Sequence, residues 1–450
     1  MKKEKWERKK EEAGQQPQNP NRKSKIANRK LQSPMNSQQA KIESERCLQC
    51  FDAPCMAACP THIGVPKFIS LIRTNNVIGA AEVVKTSNAL ANTCGKICPE
   101  EVFCQSVCTR GKQDSPIQIR ELHFFATQQE AKKGFSATKI FPASAKRVAI
   151  IGAGPAGLGC AFELAKLGHH VDVYDAHNPG GVPRKSIPSF RLAERELESD
   201  TKFLSRFFTM KKRFVDSKAF ERIHRQHDAT FLAVGLGRDR MLGIHGEESK
   251  GVLPVLQFLE KAKLNPSKMK VGKKVVIVGG GNVSLDAAAT AKRLGAESVV
   301  LIYRRSEKEM RVWKGELDEA RRQGVEMRFL TNPVSVTGKS KVVGIKCRRT
   351  RLGKQKDKTG RPIPVEIKGS DFTIEADTVV IAIGQTIEAN WLGDFERKGG
   401  GYVKVREDFQ TSVPGVFAGG DMIAGEGTIV QSVSHGKYAA RAIHEYLSAK

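Results

Sequence analysis

The run "RVAIIGAGPAGLGCAFELAKLGHHVDVYDA", residues 147–176, decides the fold. An apolar strand enters a glycine turn, the turn opens a helix, and a second strand ends on an acid. The turn reads G-x-G-x-x-G through Gly152, Gly154 and Gly157. Gly152 permits the tight turn, Gly154 lets backbone approach a pyrophosphate, and Gly157 allows the helix to pack closely on the strand. The helix then presents unpaired N–H groups and its positive dipole end to phosphate. Asp175 closes the second strand, where a carboxylate can accept hydrogen bonds from a ribose hydroxyl. Strand, turn, helix and acid agree, which a bare glycine motif would not supply.

The plan recurs in "KKVVIVGGGNVSLDAAATAKRLGAESVVLIYRR", residues 273–305, with Gly279, Gly281, Asn282 and Ser284 at the turn and helix start. Serine at the third place still permits close packing, less freely than glycine. Where an acid would serve NAD, this unit has Arg304 and Arg305. Arginine suits a 2′-phosphate by charge and by its planar fork, which favours NADPH over NADH. The bland alternative is surface charge on a basic chain. Two units call for two ligands. The acid-ended unit suits the adenosine ribose of FAD, and a flavin splits a hydride's two electrons into single ones. The fold class predicted is α/β, with two Rossmann-like domains behind a helical N-terminal region.

Single electrons need a carrier. No Cys-x-x-Cys lies in either dinucleotide unit, where Cys160 and Cys347 stand alone and read as structural thiols. Eight of the ten cysteines instead fill "CLQCFDAPCMAACP" (47–60) and "CGKICPEEVFCQSVC" (94–108). The spacings are C-x2-C-x4-C-x3-C-P and C-x3-C-x5-C-x3-C. Zinc sites usually show two separated short-spaced pairs. A dense run ending in Cys-Pro instead suits ferredoxin-type ligation, and eight thiolates suffice for two [4Fe–4S] clusters. Zinc stays as the alternative.

With 75 Lys and Arg against 48 Asp and Glu, the chain carries a net charge of +27. Residues 1–46 and the block 338–361 are dense in it. Such charge could serve nucleic acid or an acidic protein. No nucleic-acid motif accompanies it, so nucleic acid is the weaker class and solvated surface the simpler reading. The start, "MKKEKWERKKEEAG", has no apolar core of a secretory signal, and its glutamates argue against a mitochondrial leader. No run of 18 apolar residues occurs, so no membrane span is expected. These features read as a cytoplasmic protein, where thiols stay reduced and metal ligation outweighs disulfides.

Taken in order, "CLQCFDAPCMAACP", "TCGKICPEEVFCQSVC", "IGAGPAG", "IPSFRL", "GGGNVSLD", "VVIAIGQ" and "VFAGGD" resemble the flavin-containing small subunit of bacterial NAD(P)-dependent dihydropyrimidine dehydrogenase. The chain is also similar to the glutamate synthase small subunit and to NADPH:ferredoxin oxidoreductases. The resemblance covers about residues 40–447. "CFDAPC" and "SPIQI" lean to the dihydropyrimidine branch, while "YRR" and "RRTRLG" occur in glutamate-synthase-like members too.

The resemblance implies one [4Fe–4S] cluster on Cys47, Cys50, Cys55 and Cys108. It implies a second on Cys59, Cys98 and Cys104 with a non-cysteine fourth ligand. That ligand is a glutamine in the family and aligns with His123 here, with water or no ligand as the alternative. It implies Gly420 and Asp421 beside the flavin's ribityl chain, and a helix from Thr428 aimed at the flavin ring. Arg191 would lie on the electron path or form a structural salt bridge. Gly384 and Gln385 would sit at the chain crossing. Arg311 replaces a common proline on the nicotinamide side. The resemblance further implies a partner: a catalytic subunit carrying FMN and further clusters, which reduces uracil or thymine, or else glutamate synthase or ferredoxin. The divisions expected are a basic tail at 1–40, the cluster domain at 41–140, FAD domain at 141–269, NAD(P) domain at 270–375 inserted in it, and the FAD domain's second part at 376–450.

Overall fold

Valine- and isoleucine-rich strands, buried on both faces, build two parallel sheets. The computed structural model describes residues 34–134, 140–357, 359–393 and 395–449. Most of the expected tail, residues 1–33, lies outside the described residues. In the first sheet the order is Val416–Ala418, Ala229–Leu232, Arg147–Ile151, His170–Asp175 and Thr209–Lys212, all parallel. The second sheet runs Val252–Pro254, Thr378–Ile381, Lys274–Val278, Ser298–Tyr303 and Val325–Phe329, again all parallel. Because Val416–Ala418 returns to the first sheet, the second domain is inserted in the first. The chain crosses between them on a two-strand ribbon, Arg238–Asp239 against Gln385–Thr386. Arg240 secures it, donating from its backbone N–H to Gly384 O and from Nε to Gln385 O. Gly384 and Gln385 thus sit at the crossing.

Three boundaries move. Val252–Pro254 pairs with Thr378–Ile381 inside the second sheet, so the inserted domain begins before 252 and ends after 381, not at 270 and 375. The four residues Thr378–Ile381 are all buried between neighbours, a central strand of that sheet. The helical domain starts earlier than 41. Asn36 caps helix Ser37–Glu45 with a capping box to Gln39.

The helices Val65–Arg73, Val77–Ser87, Ala91–Ile97 and Ile119–Lys133 form the cysteine-bearing domain. Phe68, Ile69, Ile72, Leu122 and Phe125 fill its core, and Val430 of the last helix, Ile429–Ser448, enters the same cluster. Two buried polar groups fasten this domain to the rest. Asp200 accepts the Asn92 and Thr93 backbone N–H groups at 3.0 and 2.8 Å, capping the helix that carries Cys94. Burial holds its carboxyl up at about 6 against those bonds. Lys437 Nζ donates to Thr61 O and Ser87 O at 2.9 and 3.2 Å.

The basic block at 338–361 folds mainly into strand Gly344–Lys356, paired antiparallel with Pro362–Glu375. Arg348 there meets Glu366 and Asp371, so part of its charge is neutralised. Among the described residues no helix is long and apolar enough to cross a membrane.

Candidate functional site

The first glycine turn opens on a cleft with a cavity volume of ≈ 380 Å³. Gly152, Gly154, Asp175, Gly420, Asp421 and Thr428 all line it. The three glycines are needed for different reasons. Gly152 has φ +105°, and a Cβ there would stand 2.3 Å from Ala233 O. At Gly157 a Cβ would fall 1.9 Å from Gly152 O. Gly154 has only Gly181 Cα near, at 3.9 Å, which leaves its ligand side open. Asp175 accepts the Ala153 and His177 backbone N–H groups, each at 2.8 Å. Those bonds fix the carboxylate and leave lone pairs for hydroxyls. Asp421 accepts from Ser432 Oγ, and burial pushes its carboxyl up to about 6. Thr428 caps helix Ile429–Ser448 with Gln431 in a capping box, so the positive helix end faces the cleft.

At the second turn Gly279 takes φ +156° against Ala382 O, while Gly281 faces open space. Ser284 is buried and donates from Oγ to Gly281 O at 2.5 Å. Asn282 opens helix Asn282–Arg293, and its Oδ1 accepts the Trp313 N–H. The two arginines part company. Arg304 is exposed. Arg305 is 4% exposed, with Nε on Pro362 O and Nη2 on Asp357 at 2.7 Å. Its fork is spent on the hairpin loop, so the paired-arginine expectation is corrected to Arg304 as the open guanidinium. Two further arginines gather here. Arg311 N–H donates to Gly280 O, and Arg361 is held below its usual value by burial and by Arg311.

The cysteines divide between two hollows. Cys47, Cys50, Cys55 and Cys108 line the first, and Cys59, Cys98, Cys104 and His123 line the second. Cys94, to which the resemblance gives no role, lines the second as well. Burial pushes the Cys55 and Cys94 thiols up to about 12, and Cys98 and Cys104 also move upward. Buried thiols in such surroundings favour thiolate only beside a cationic group. The donor set therefore fits an iron–sulfur centre. So do two orphaned atoms. His123 Nε2 and Arg120 Nε are buried with no hydrogen-bond partner, and both residues line the second hollow. The His123 ring bonds the backbone at Ala91, and burial holds it neutral, down at about 4. The thiols ring hollows, and among the described residues no three or more His, Cys, Asp or Glu are placed to hold a single metal ion.

The hollows and the cleft share walls. Val65 and Ile119 line both hollows. Val430 lines the second hollow while its neighbour Ile429 lines the cleft. Arg191 takes the second of its two readings, an ion pair. Its Nη1 meets Asp286 at 2.7–2.8 Å and its Nη2 meets Glu316, both in the inserted domain. Cys160 and Cys347 are fully buried, as structural thiols should be.

Known sequences place this geometry. The profile of the pyridine nucleotide-disulphide oxidoreductases matches residues 146–440. That of dihydropyrimidine dehydrogenase domain II, 4Fe-4S cluster, matches residues 23–135. The chain is 36% identical to the NADP(+)-dependent formate dehydrogenase subunit beta of Moorella thermoacetica, over 88% of this chain and 60% of that protein. It is 34% identical to the glutamate synthase [NADPH] small chain of Halomonas elongata, over 93% of each. It is 33% identical to the NAD-dependent dihydropyrimidine dehydrogenase subunit PreT of Escherichia coli K12, over 90% of this chain and 93% of PreT. The chain thus spans less than two thirds of the formate dehydrogenase subunit and nearly all of the other two. These matches cover the two glycine turns, the cleft and the thiol-lined hollows, and the chain belongs to the pyridine nucleotide-disulphide oxidoreductase family as an NAD(P)H-dependent FAD and iron–sulfur enzyme.

Proposed function

We propose that the chain is an electron-input subunit. NADPH binds at the second glycine turn, FAD in the cleft, and one [4Fe–4S] cluster in each hollow, with a separate catalytic subunit as recipient. The observation that carries this reading is the row of shared walls. Ile429 and Val430 separate cleft from second hollow, and Val65 and Ile119 separate the hollows. Bound FAD accepts a hydride's two electrons and releases them singly. The chain's part is to position and insulate. Asp175 and the glycine turn hold the adenosine end. Asp421 and the helix end at Thr428 meet the other, where a positive dipole favours negative charge.

The recipient favoured is a dihydropyrimidine-reducing subunit. "CFDAPC" and the likeness to PreT support it, while glutamate synthase is the second reading, supported by the equal likeness to its small chain. The relatives' names divide between NADP and NAD, so the choice of nicotinamide rests on Arg304. A charge-assisted bond to phosphate contributes roughly 1.5–3 kcal/mol. Arg304→Ala is expected to raise the KM for NADPH about tenfold or more in dye reduction and to leave that for NADH unchanged. Equal use of both nucleotides by the parent protein would contradict the assignment.

His123 completes the second site in this reading, through the orphaned Nε2. Pulsed EPR of the reduced protein should show nitrogen hyperfine coupling on one cluster. His123→Cys should keep the iron and lose the coupling. Absence of coupling in the parent protein would contradict it.

A further inference from the structure

The inserted domain is joined to the flavin domain in a different way from the cysteine-bearing domain. The cysteine-bearing domain shares an apolar core with the last helix through Val430. Among the described residues, neither buried apolar cluster of the inserted domain takes in a side chain of the flavin domain. The flavin domain's own clusters take in none of the inserted domain's. Polar groups do the joining, and they converge on one short segment of the flavin domain, residues 183–191. Lys263 donates from Nζ to Pro183 O and Ile187 O at 2.8 and 2.7 Å. The Arg293 guanidinium stands 4.1 Å from the centre of the Phe190 ring. Arg191 spans both oxygens of Asp286 with Nη1 and meets Glu316 with Nη2. These partners come from three helices of the inserted domain, Val255–Leu264, Asn282–Arg293 and Lys314–Arg322, so together they fix an orientation.

Both sides of this contact lead to a ligand site. On the flavin side, Val182, Pro183, Lys185 and Ser186 line the cleft. On the other side, Asp286 stands on the helix that the second glycine turn opens. Trp313, just before Glu316's helix, donates its N–H to Asn282 at that same turn. Its ring centre lies 5.9 Å from the Arg191 guanidinium. Charge sets the register here. Apolar faces can slide past one another, whereas a buried carboxylate has a narrow place for a guanidinium fork. Asp286 is 8% exposed, and among the described residues its one ion-pair partner is Arg191. Burial pushes its carboxyl up, and Arg191 opposes the shift. Domains that meet without a large apolar surface otherwise move relative to each other.

We propose that Arg191 is a positioning residue for hydride transfer: by holding Asp286 and Glu316 it fixes the inserted domain against the cleft wall and sets the nicotinamide in register with the flavin. This rests on the electron-input reading above, and only on its first step. In that step NADPH gives up a hydride and leaves as NADP⁺, and the bound flavin takes the hydrogen with both electrons. Arg191 is not part of the cleft lining, so its effect is on geometry. A displacement of about 1 Å is enough to slow such a step on the order of a hundredfold.

The test is anaerobic stopped-flow bleaching of the flavin by NADPH in the full chain, with the limiting rate and the nucleotide dissociation constant read separately. Arg191→Ala should lower the limiting rate about tenfold or more. Its dissociation constant for NADP⁺, its FAD and iron content and its reduction by dithionite should stay those of the parent. Arg191→Lys keeps a charge for one carboxylate and loses the fork, so its rate should fall between the two. Lys263→Met, which frees Pro183 O and Ile187 O on another helix, should slow the same step without weakening NADP⁺. The proposal is overturned if Arg191→Ala bleaches at the parent's limiting rate. It is equally overturned if the loss appears only as weaker nucleotide binding. Should Arg191→Ala be recovered without flavin, Lys263→Met decides by the same two readings: a parent-like limiting rate there overturns the proposal. A parent protein whose flavin is reduced by dithionite but not by NADPH would instead sink the electron-input reading itself.

Discussion

Cys55→Ser protein, purified without oxygen, is expected to hold about four irons where the parent holds about eight. Cys55 lines the first hollow and not the second. Serine removes the soft thiolate that iron requires there and leaves the second donor set intact. The hollow is shared with Cys47, Cys50 and Cys108, so substitution of Cys108 should give the same half-loss although it lies far along the chain. Cys98→Ser should remove the other half. Ferricyanide reduction at the cleft should survive Cys55→Ser, because that hollow is farthest from the cleft. Loss of all iron from Cys55→Ser would show that the two sites assemble as one unit. Loss of none would remove Cys55 from the ligands.

The second large effect concerns the first glycine turn. Gly157→Ala places a methyl group 1.9 Å from Gly152 O. That oxygen belongs to backbone already fixed, because Gly152 has φ +105° and its own N–H donates to Tyr174 O. Neither partner can give way cheaply, so the cost is about 3 kcal/mol or more, at the upper end for overpacking. The protein should be recovered without flavin and with a lower melting temperature. Gly154→Ala is the control. Its added methyl would meet only Gly181 Cα at 3.9 Å, so the fold should hold and flavin affinity alone should fall. If Gly157→Ala binds FAD as the parent does, the close approach described for this turn is wrong.

Much of this molecule was legible because glycine and cysteine leave sharp marks. Gly152, Gly154 and Gly157 announce a turn that only a strand and helix can flank. The cysteine spacings announced a metal centre, and the family resemblance, not the spacings, grouped Cys47, Cys50, Cys55 and Cys108, which line one hollow. What stayed hidden depends on distant partners. Arg305 reads as an open fork until Asp357, 52 positions later, is seen to hold it. Val252–Pro254 is only three residues long, too short for a strand pattern, and only its pairing with Thr378–Ile381 assigns it to the inserted domain. Thr378–Ile381 is apolar enough for either sheet, and only pairing decides. Cys94 shares its hollow with three other cysteines because helix Ala91–Ile97 is packed by Asp200, a contact no local pattern shows. The wall at Val430 is the same kind of fact, since a helix near the C-terminus meets a domain near the N-terminus.

The central claim is that nicotinamide electrons cross from cleft to hollows. The direct measurement is an anaerobic NADPH titration followed by visible absorbance and low-temperature EPR on one sample. The account predicts that flavin absorbance bleaches and that iron–sulfur EPR signals grow with it, from two centres in the parent and one in Cys55→Ser. Flavin bleaching with no iron–sulfur signal, or zinc in place of iron, would contradict it.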